Sequence, residues 1–170
     1  KFVDENSIRL YMVSNPKKLT VKNLSITTVE VSNHPVKEMG KRKIDVDGNF
    51  YISGEDAQSI KEGEQIRLLG LGNILITKQG EEIEGEYVKD GDIKSIPKIQ
   101  WVSQKTAHKI KMIIPKILFI GEDFNEDSLE EMDVYCEPHY LQLKDGEEIQ
   151  FIRFGYCRKD SQNQAIFTHK

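Results

Sequence analysis

The side chains best suited to metal or nucleophilic chemistry are four histidines (His34, His108, His139, His169) and two cysteines (Cys136, Cys157). The histidines are scattered and show no metal-ligand spacing with either cysteine, so no zinc site is expected. Gly70-Leu71-Gly72 opens like a dinucleotide-binding fingerprint. Its third glycine and following helix are absent, and turn glycines account for it better. Neither a Gly-x-Ser-x-Gly elbow nor a Walker loop is present. Glu122, Asp123, Glu126 and Asp127 form the densest acid cluster, in a loop running into a short helix. Without a pocket partner they read as solvated acids, not as a general acid/base pair. What remains is cationic. Basic residues concentrate at 17–22, 37–43, 105–116 and 153–159, and acidic ones at 55–64, 81–92, 122–133 and 145–148. Gathered on one face, the basic segments could neutralise phosphates despite a net charge of −4. Spread evenly, they are ordinary solvated surface.

Any such face must be built from short strands. At 170 residues, 38% hydrophobic and 31% charged, the chain can bury a real core as one large domain or two small ones. β-rich runs occupy 8–13, 19–28, 43–46, 49–52, 65–69, 74–78, 82–88, 99–102, 108–120 and 148–158. Asn15-Pro16, Asp47-Gly48, Asp90-Gly91 and Asp145-Gly146 punctuate them. Asp47-Gly48 has the two-residue spacing of a tight hairpin joining 43–46 to 49–52. The polar, acidic stretch 81–96 reads as a protruding hairpin. Helices are few. One follows Ser53, with Glu55 and Asp56 placed where the helix dipole favours acids; another is expected over 127–131, capped by Asn125. The pattern is all-β, of barrel or sandwich type. No apolar run approaches the length of a membrane span, and residues 1–18 lack a secretory h-region. Both cysteines are therefore expected to be reduced and the compartment cytoplasmic. A start at Lys1 without methionine points to a fragment or a processed chain.

Several segments resemble the C-terminal, anticodon-binding region of glutamyl- and glutaminyl-tRNA synthetases, the archaeal-type glutamyl enzyme above all. The first is Ile8-Arg9-Leu10-Tyr11-Met12-Val13, running on to Asn15-Pro16 and Leu19. The second, Asn33-His34-Pro35-Val36-Lys37-Glu38-Met39-Gly40-Lys41-Arg42, is close to the family's "NHP…K…E-G-R" loop. Phe50-Tyr51-Ile52-Ser53-Gly54-Glu55-Asp56-Ala57 and Ile66-Arg67-Leu68 follow in family order. Ile99-Gln100-Trp101-Val102 and Ile149-Gln150-Phe151-Ile152-Arg153-Phe154-Gly155-Tyr156 complete the set.

The resemblance implies two small antiparallel, ribosomal-protein-like β-barrels. Residues 1–48 plus 99–170 would form the proximal anticodon-binding barrel, and 49–98 the distal one. Arg9, Gln150 and Arg153 match the residues that contact the middle anticodon base, and Arg67 an arginine near the first. A flipped-out uracil offers acceptor oxygens and one N–H donor, which arginines and an amide can satisfy. Gln150 and Arg153 lie on opposite faces of a regular strand, so reaching one base demands a bend or bulge near Ile152. Lys37, Lys41 and Arg42 are expected phosphate contacts. Trp101 is either a stacking platform or core, and His34 a loop element. Leu69 stands where glutaminyl enzymes carry a second arginine. The implied partners are a glutamate-accepting tRNA, with the glutamine acceptor as the alternative, and a catalytic domain of the same polypeptide. That domain would use ATP and magnesium; this chain lacks the His-x-Gly-His and Lys-Met-Ser-Lys-Ser motifs and needs no cofactor itself. A glutaminyl-tRNA synthetase domain or a stand-alone RNA-binding barrel are the alternative readings.

Overall fold

A computed structural model describes residues 6–92, 95–115, 118–120, 123–125 and 129–170. The architecture is all-β, with one sheet curled into a nearly closed barrel and another into a half-barrel. The first seven-stranded sheet runs in the order Ile8–Leu10, Glu148–Phe151, Gly155–Ser161, Gln164–His169, His108–Pro115, Leu129–Cys136, Met12–Ser14. The second runs Lys98–Ile99, Gln65–Leu68, Gly72–Lys78, Ile83–Val88, Lys17–Lys22, Asn49–Ile52, Val102–Ser103. In each sheet the two edge strands are consecutive pieces of one segment. Only Tyr11 separates the edges of the first, and only Gln100 and Trp101 those of the second. A chain that supplies both edges this way curves its sheet, protecting edges that would otherwise invite aggregation. Among the described residues four pairings are parallel, each joining strands distant in sequence, and the others are antiparallel.

The segment 8–13 is the wall between two cores. Leu10 and Met12 pack with Ile110, Phe151 and Tyr140, whereas Tyr11 and Val13 pack with Leu19, Phe50 and Trp101. Alternation with period two sends successive side chains to opposite faces, and here both faces are buried. Trp101 is fully buried, edge-on to Phe50 at 5.3 Å, and its indole N–H donates to Leu69 O at 2.9 Å. Buried aromatics of this kind are enclosed on all sides, so Trp101 is core and not a stacking platform. Tyr51 and Tyr135 stack at 4.8 Å between the two sheets.

Some local expectations hold. The helix spans Gly54–Ser59, and Ser53 Oγ caps it by accepting from Asp56 N at 3.2 Å. Others do not. Asp47-Gly48 does not close a hairpin: Lys41–Asp45 pairs back onto Thr28–Ser32, and Asn49–Ile52 pairs in the second sheet with Lys17–Lys22. Asp47 instead accepts from Asn49 N at 3.1 Å, and Gly48, at φ +92°, hands the chain from one sheet to the other. The stretch expected to protrude holds Ile83–Val88, an interior strand between Gly72–Lys78 and Lys17–Lys22. Its acids alternate with the buried Ile83 and Gly85 and so point outward. Leu129–Glu131 belong to the strand Leu129–Cys136, not to a helix; the rest of that expected helix, with Glu122, Glu126 and Asp127, lies outside the described residues. The segment 1–48 contributes strands to both sheets, since Lys17–Lys22 pairs within the second. Among the described residues no helix is long and apolar enough to cross a membrane.

Candidate nucleic-acid interface

Arg9 and Gln150 are register partners on neighbouring parallel strands. Ile8, Leu10, Ile149 and Phe151 face the core, so Arg9 and Gln150 stand together on the opposite, partly exposed face. The backbone N–H of Arg9 donates to Asn33 O at 2.9 Å, which ties this edge to the 33–40 loop. Gln150 Oε1 is buried and accepts no hydrogen bond among the described residues. Leaving such an acceptor unsatisfied costs about 1–3 kcal/mol, a cost that a bound N–H donor would remove. The row continues across the sheet. Gln150 pairs with Tyr156, and Tyr156 with His169, whose ring stacks on the tyrosine at 4.7 Å. Cation, amide and aromatic pair are thus in register on adjacent strands. No local signal marks Tyr156 and His169 as a pair, because only the pairing of 155–161 with 164–169 brings them together.

Arg153 sits in the turn that follows. Phe154 N donates to Phe151 O at 3.0 Å, closing a tight turn with Arg153 at φ +62°. That is the positive-φ position glycine normally fills, and an arginine there costs on the order of 1–3 kcal/mol. The sharp turn is the bend that the spacing of Gln150 and Arg153 demanded. The arginine does not simply fold back along its strand. Its Nη2 donates to Asp56 Oδ2 at 2.6 Å and its Nη1 to Asp56 Oδ1 at 3.4 Å. Asp56 belongs to the helix beside the second sheet, so the ion pair spans a cleft of about 270 Å³ between the sheets, also lined by Met12, Ser14, Gln100 and Phe154. Gln100 bridges from another side: its amide donates to Ile152 O at 2.9 Å and accepts from Met12 N at 3.3 Å.

The remaining expected residues fall elsewhere. Arg67 lies on the second sheet, donating to Asn73 Oδ1 at 2.9 Å. Asn73 is buried and also donates to Asp92 O at 2.7 Å, so Arg67 is anchored at a different place from the Arg9–Gln150 row. Lys37 and Lys41 are exposed around the 33–40 loop. His34 braces that loop, its Nδ1 accepting from Val36 N at 3.1 Å and Lys37 N at 2.9 Å. Arg42 is not a phosphate contact. Its side chain is 2% exposed, paired with a Glu137 that is 1% exposed. Nη2 donates to Glu137 Oε2 at 2.8 Å, Nε donates to Oε1, and Nη1 donates to Ser32 O and Asn33 Oδ1, both at 3.1 Å. Glu137 Oε2 also accepts from Tyr11 N at 2.8 Å. Burial pushes the Tyr11 phenol up to about 12, with Arg42 opposing and Glu137 adding to the shift. Lys41 and Arg42 are sequence neighbours on opposite faces of one strand, which is why one is solvated and the other consumed by the fold.

Both cysteines are free and buried. Burial drives the Cys157 thiol up to about 12 and Cys136 higher as well. Thiols held this far from the thiolate are inert as nucleophiles. Among the described residues no group of His, Cys, Asp and Glu could hold a metal ion.

Two family profiles match the chain. Both are described as anticodon-binding domains of class I (E and Q) tRNA synthetases, over residues 7–95 and 98–160. Among similar proteins, the glutamate–tRNA ligase of Nitrosopumilus maritimus (strain SCM1) is 71% identical over 170 residues, covering 100% of this chain and 30% of that protein. The glutamate–tRNA ligase of Cenarchaeum symbiosum (strain A) is 45% identical over 99% of the chain and 30% of its own length. That of Methanocaldococcus jannaschii is 27% identical over 99% of the chain and 29% of its length. The chain therefore spans under a third of the curated relatives it matches. With profiles covering both sheets, and an arginine, an amide and an arginine-bearing turn gathered at one edge, the chain belongs to the anticodon-binding domains of class I (E and Q) tRNA synthetases.

Proposed function

We propose that this chain reads the anticodon of a glutamate-accepting tRNA, as part of a longer cytoplasmic glutamate–tRNA ligase. The observation that carries the reading is the in-register pair Arg9–Gln150 next to the turn bearing Arg153. Arg9 and Arg153 donate to the carbonyl oxygens of the middle uridine, and the unsatisfied Gln150 Oε1 accepts its N–H. The neighbouring Tyr156–His169 pair offers an aromatic surface on which an adjacent base stacks. Lys37 and Lys41 meet the backbone phosphates. Arg67, held by Asn73 on the second sheet, lies near the first anticodon base. The two sheets act as separate barrels that grip the anticodon together. ATP and magnesium belong to the nucleotide-binding half of the polypeptide; glutamate is activated and esterified there, while identity is checked here.

The test is a binding titration of the full-length protein at low salt against the glutamate tRNA, with a second titration against the same tRNA carrying a replaced middle anticodon uridine. Replacement is expected to weaken binding by about 1–3 kcal/mol, the cost of one lost base contact set. Equal affinity for both would overturn anticodon reading and leave only phosphate attraction.

A further inference from the structure

Asp56 is fixed from its own side of the cleft. Its N–H donates to Ser53 Oγ at 3.2 Å, its carbonyl accepts from Ser59 Oγ at 2.8 Å, and its side chain is 14% exposed. The Arg153 side chain, by contrast, is 51% exposed and sits in the turn that joins two strands of the other sheet. A guanidinium has five N–H donors in a rigid fork, and Asp56 engages two of its nitrogens. The donors left over are enough to meet a ligand while the carboxylate stays bound. A long side chain normally loses rotamer freedom when it binds; one already held by a partner has lost it beforehand. Gln100 does for the backbone what Asp56 does for the side chain, fixing Ile152 O next to the strained residue.

We infer that Asp56 is a positioning residue for Arg153: a carboxylate on the helix beside one sheet holds the base-reading arginine of the other across the cleft between them. This rests on the reading of Arg153 as a base contact. It makes recognition depend on the seating of the two sheets against each other, since Asp56 and Arg153 meet only across that cleft. Asp56→Asn keeps the side chain's shape and removes the charge that orients the fork.

The experiment measures, for the full-length protein and its Asp56→Asn variant, the ratio of Kd for the glutamate tRNA with its middle uridine replaced to Kd for the unaltered tRNA. The variant is expected to lose about three- to tenfold of this ratio, mostly through weaker binding of the unaltered tRNA, while remaining folded. If Asp56 is only a counter-ion that RNA displaces, the variant binds both tRNAs more tightly with the ratio intact, and the inference is overturned. A wild-type ratio of one overturns the anticodon reading itself and the positioning role with it. Should the variant fold poorly, nitrogen NMR of the Arg153 guanidinium in the wild type decides instead. A restrained guanidinium signal that persists when the tRNA is added supports positioning, and one lost on addition refutes it.

Discussion

Replacing Arg42 by methionine should destabilise the fold without weakening phosphate attraction. The substitution keeps an unbranched apolar stem but leaves Glu137, at 1% exposure, as an uncompensated buried carboxylate. It also leaves Ser32 O and Asn33 Oδ1 without their donor. Breaking a buried ion pair by removing one partner costs about 3–5 kcal/mol. With a urea slope of ~1–3 kcal/mol per molar for a small protein, the unfolding midpoint falls by roughly 1–5 M. The second change is chosen from the same geometry. Glu137→Gln removes the stranded charge yet keeps an oxygen to accept from Tyr11 N. The Arg42→Met/Glu137→Gln double variant should thus recover a large part of the loss, because a pair removed together costs far less than half a pair removed alone. Urea denaturation followed by the emission of the buried Trp101 reports both variants. A single variant whose midpoint stays at the wild-type value, while its tRNA affinity loses salt dependence, would refute the reasoning and return Arg42 to the surface as a phosphate contact.

Three further outcomes follow from the same geometry. Tyr156→Ala should weaken tRNA binding by about 1–3 kcal/mol while sparing the preference for the middle uridine, because stacking is tolerant of base identity; a titration with both tRNAs checks this. Lys37→Ala and Lys41→Ala should each reduce the slope of log K against log salt by about one, with no change in base preference. Cys136 and Cys157 should resist alkylation in the native protein at mildly alkaline pH and react promptly in urea. With its folded value raised to about 12, the Cys157 thiol contributes stability that is fully present below its unfolded value near 9 and is lost as pH rises toward 12. A urea midpoint that holds steady over that window would count against it.

Much of this molecule was legible one segment at a time. Short β-rich runs bounded by turn residues marked the strands at 8–13, 49–52 and 65–69, and the short helix after Ser53 followed from its cap and its acids. Those signals are local, set by pleat, capping and dipole within a few residues. The family resemblance also brought Arg9, Gln150 and Arg153 into one group, although 141 and more residues separate the first from the other two. Partner choice between strands was not legible. Asp47-Gly48 looks like a hairpin turn, but Val29 and Ile44 bury together when Lys41–Asp45 pairs with Thr28–Ser32, and that burial outweighs a turn preference. Nor could the run Lys37, Lys41, Arg42 be divided by inspection. Register alone puts Lys41 in water and Arg42 against Glu137, 95 residues away. The ion pair of Asp56 with Arg153 spans 97 residues and unites a helix turn with a strained loop. Sequence by itself determined many of the strands, the helix after Ser53 and the family of the site, because these are written in neighbouring residues; only the tertiary structure decided the remaining elements and which charges meet, because burial and pairing across distant segments are properties of the curled sheets.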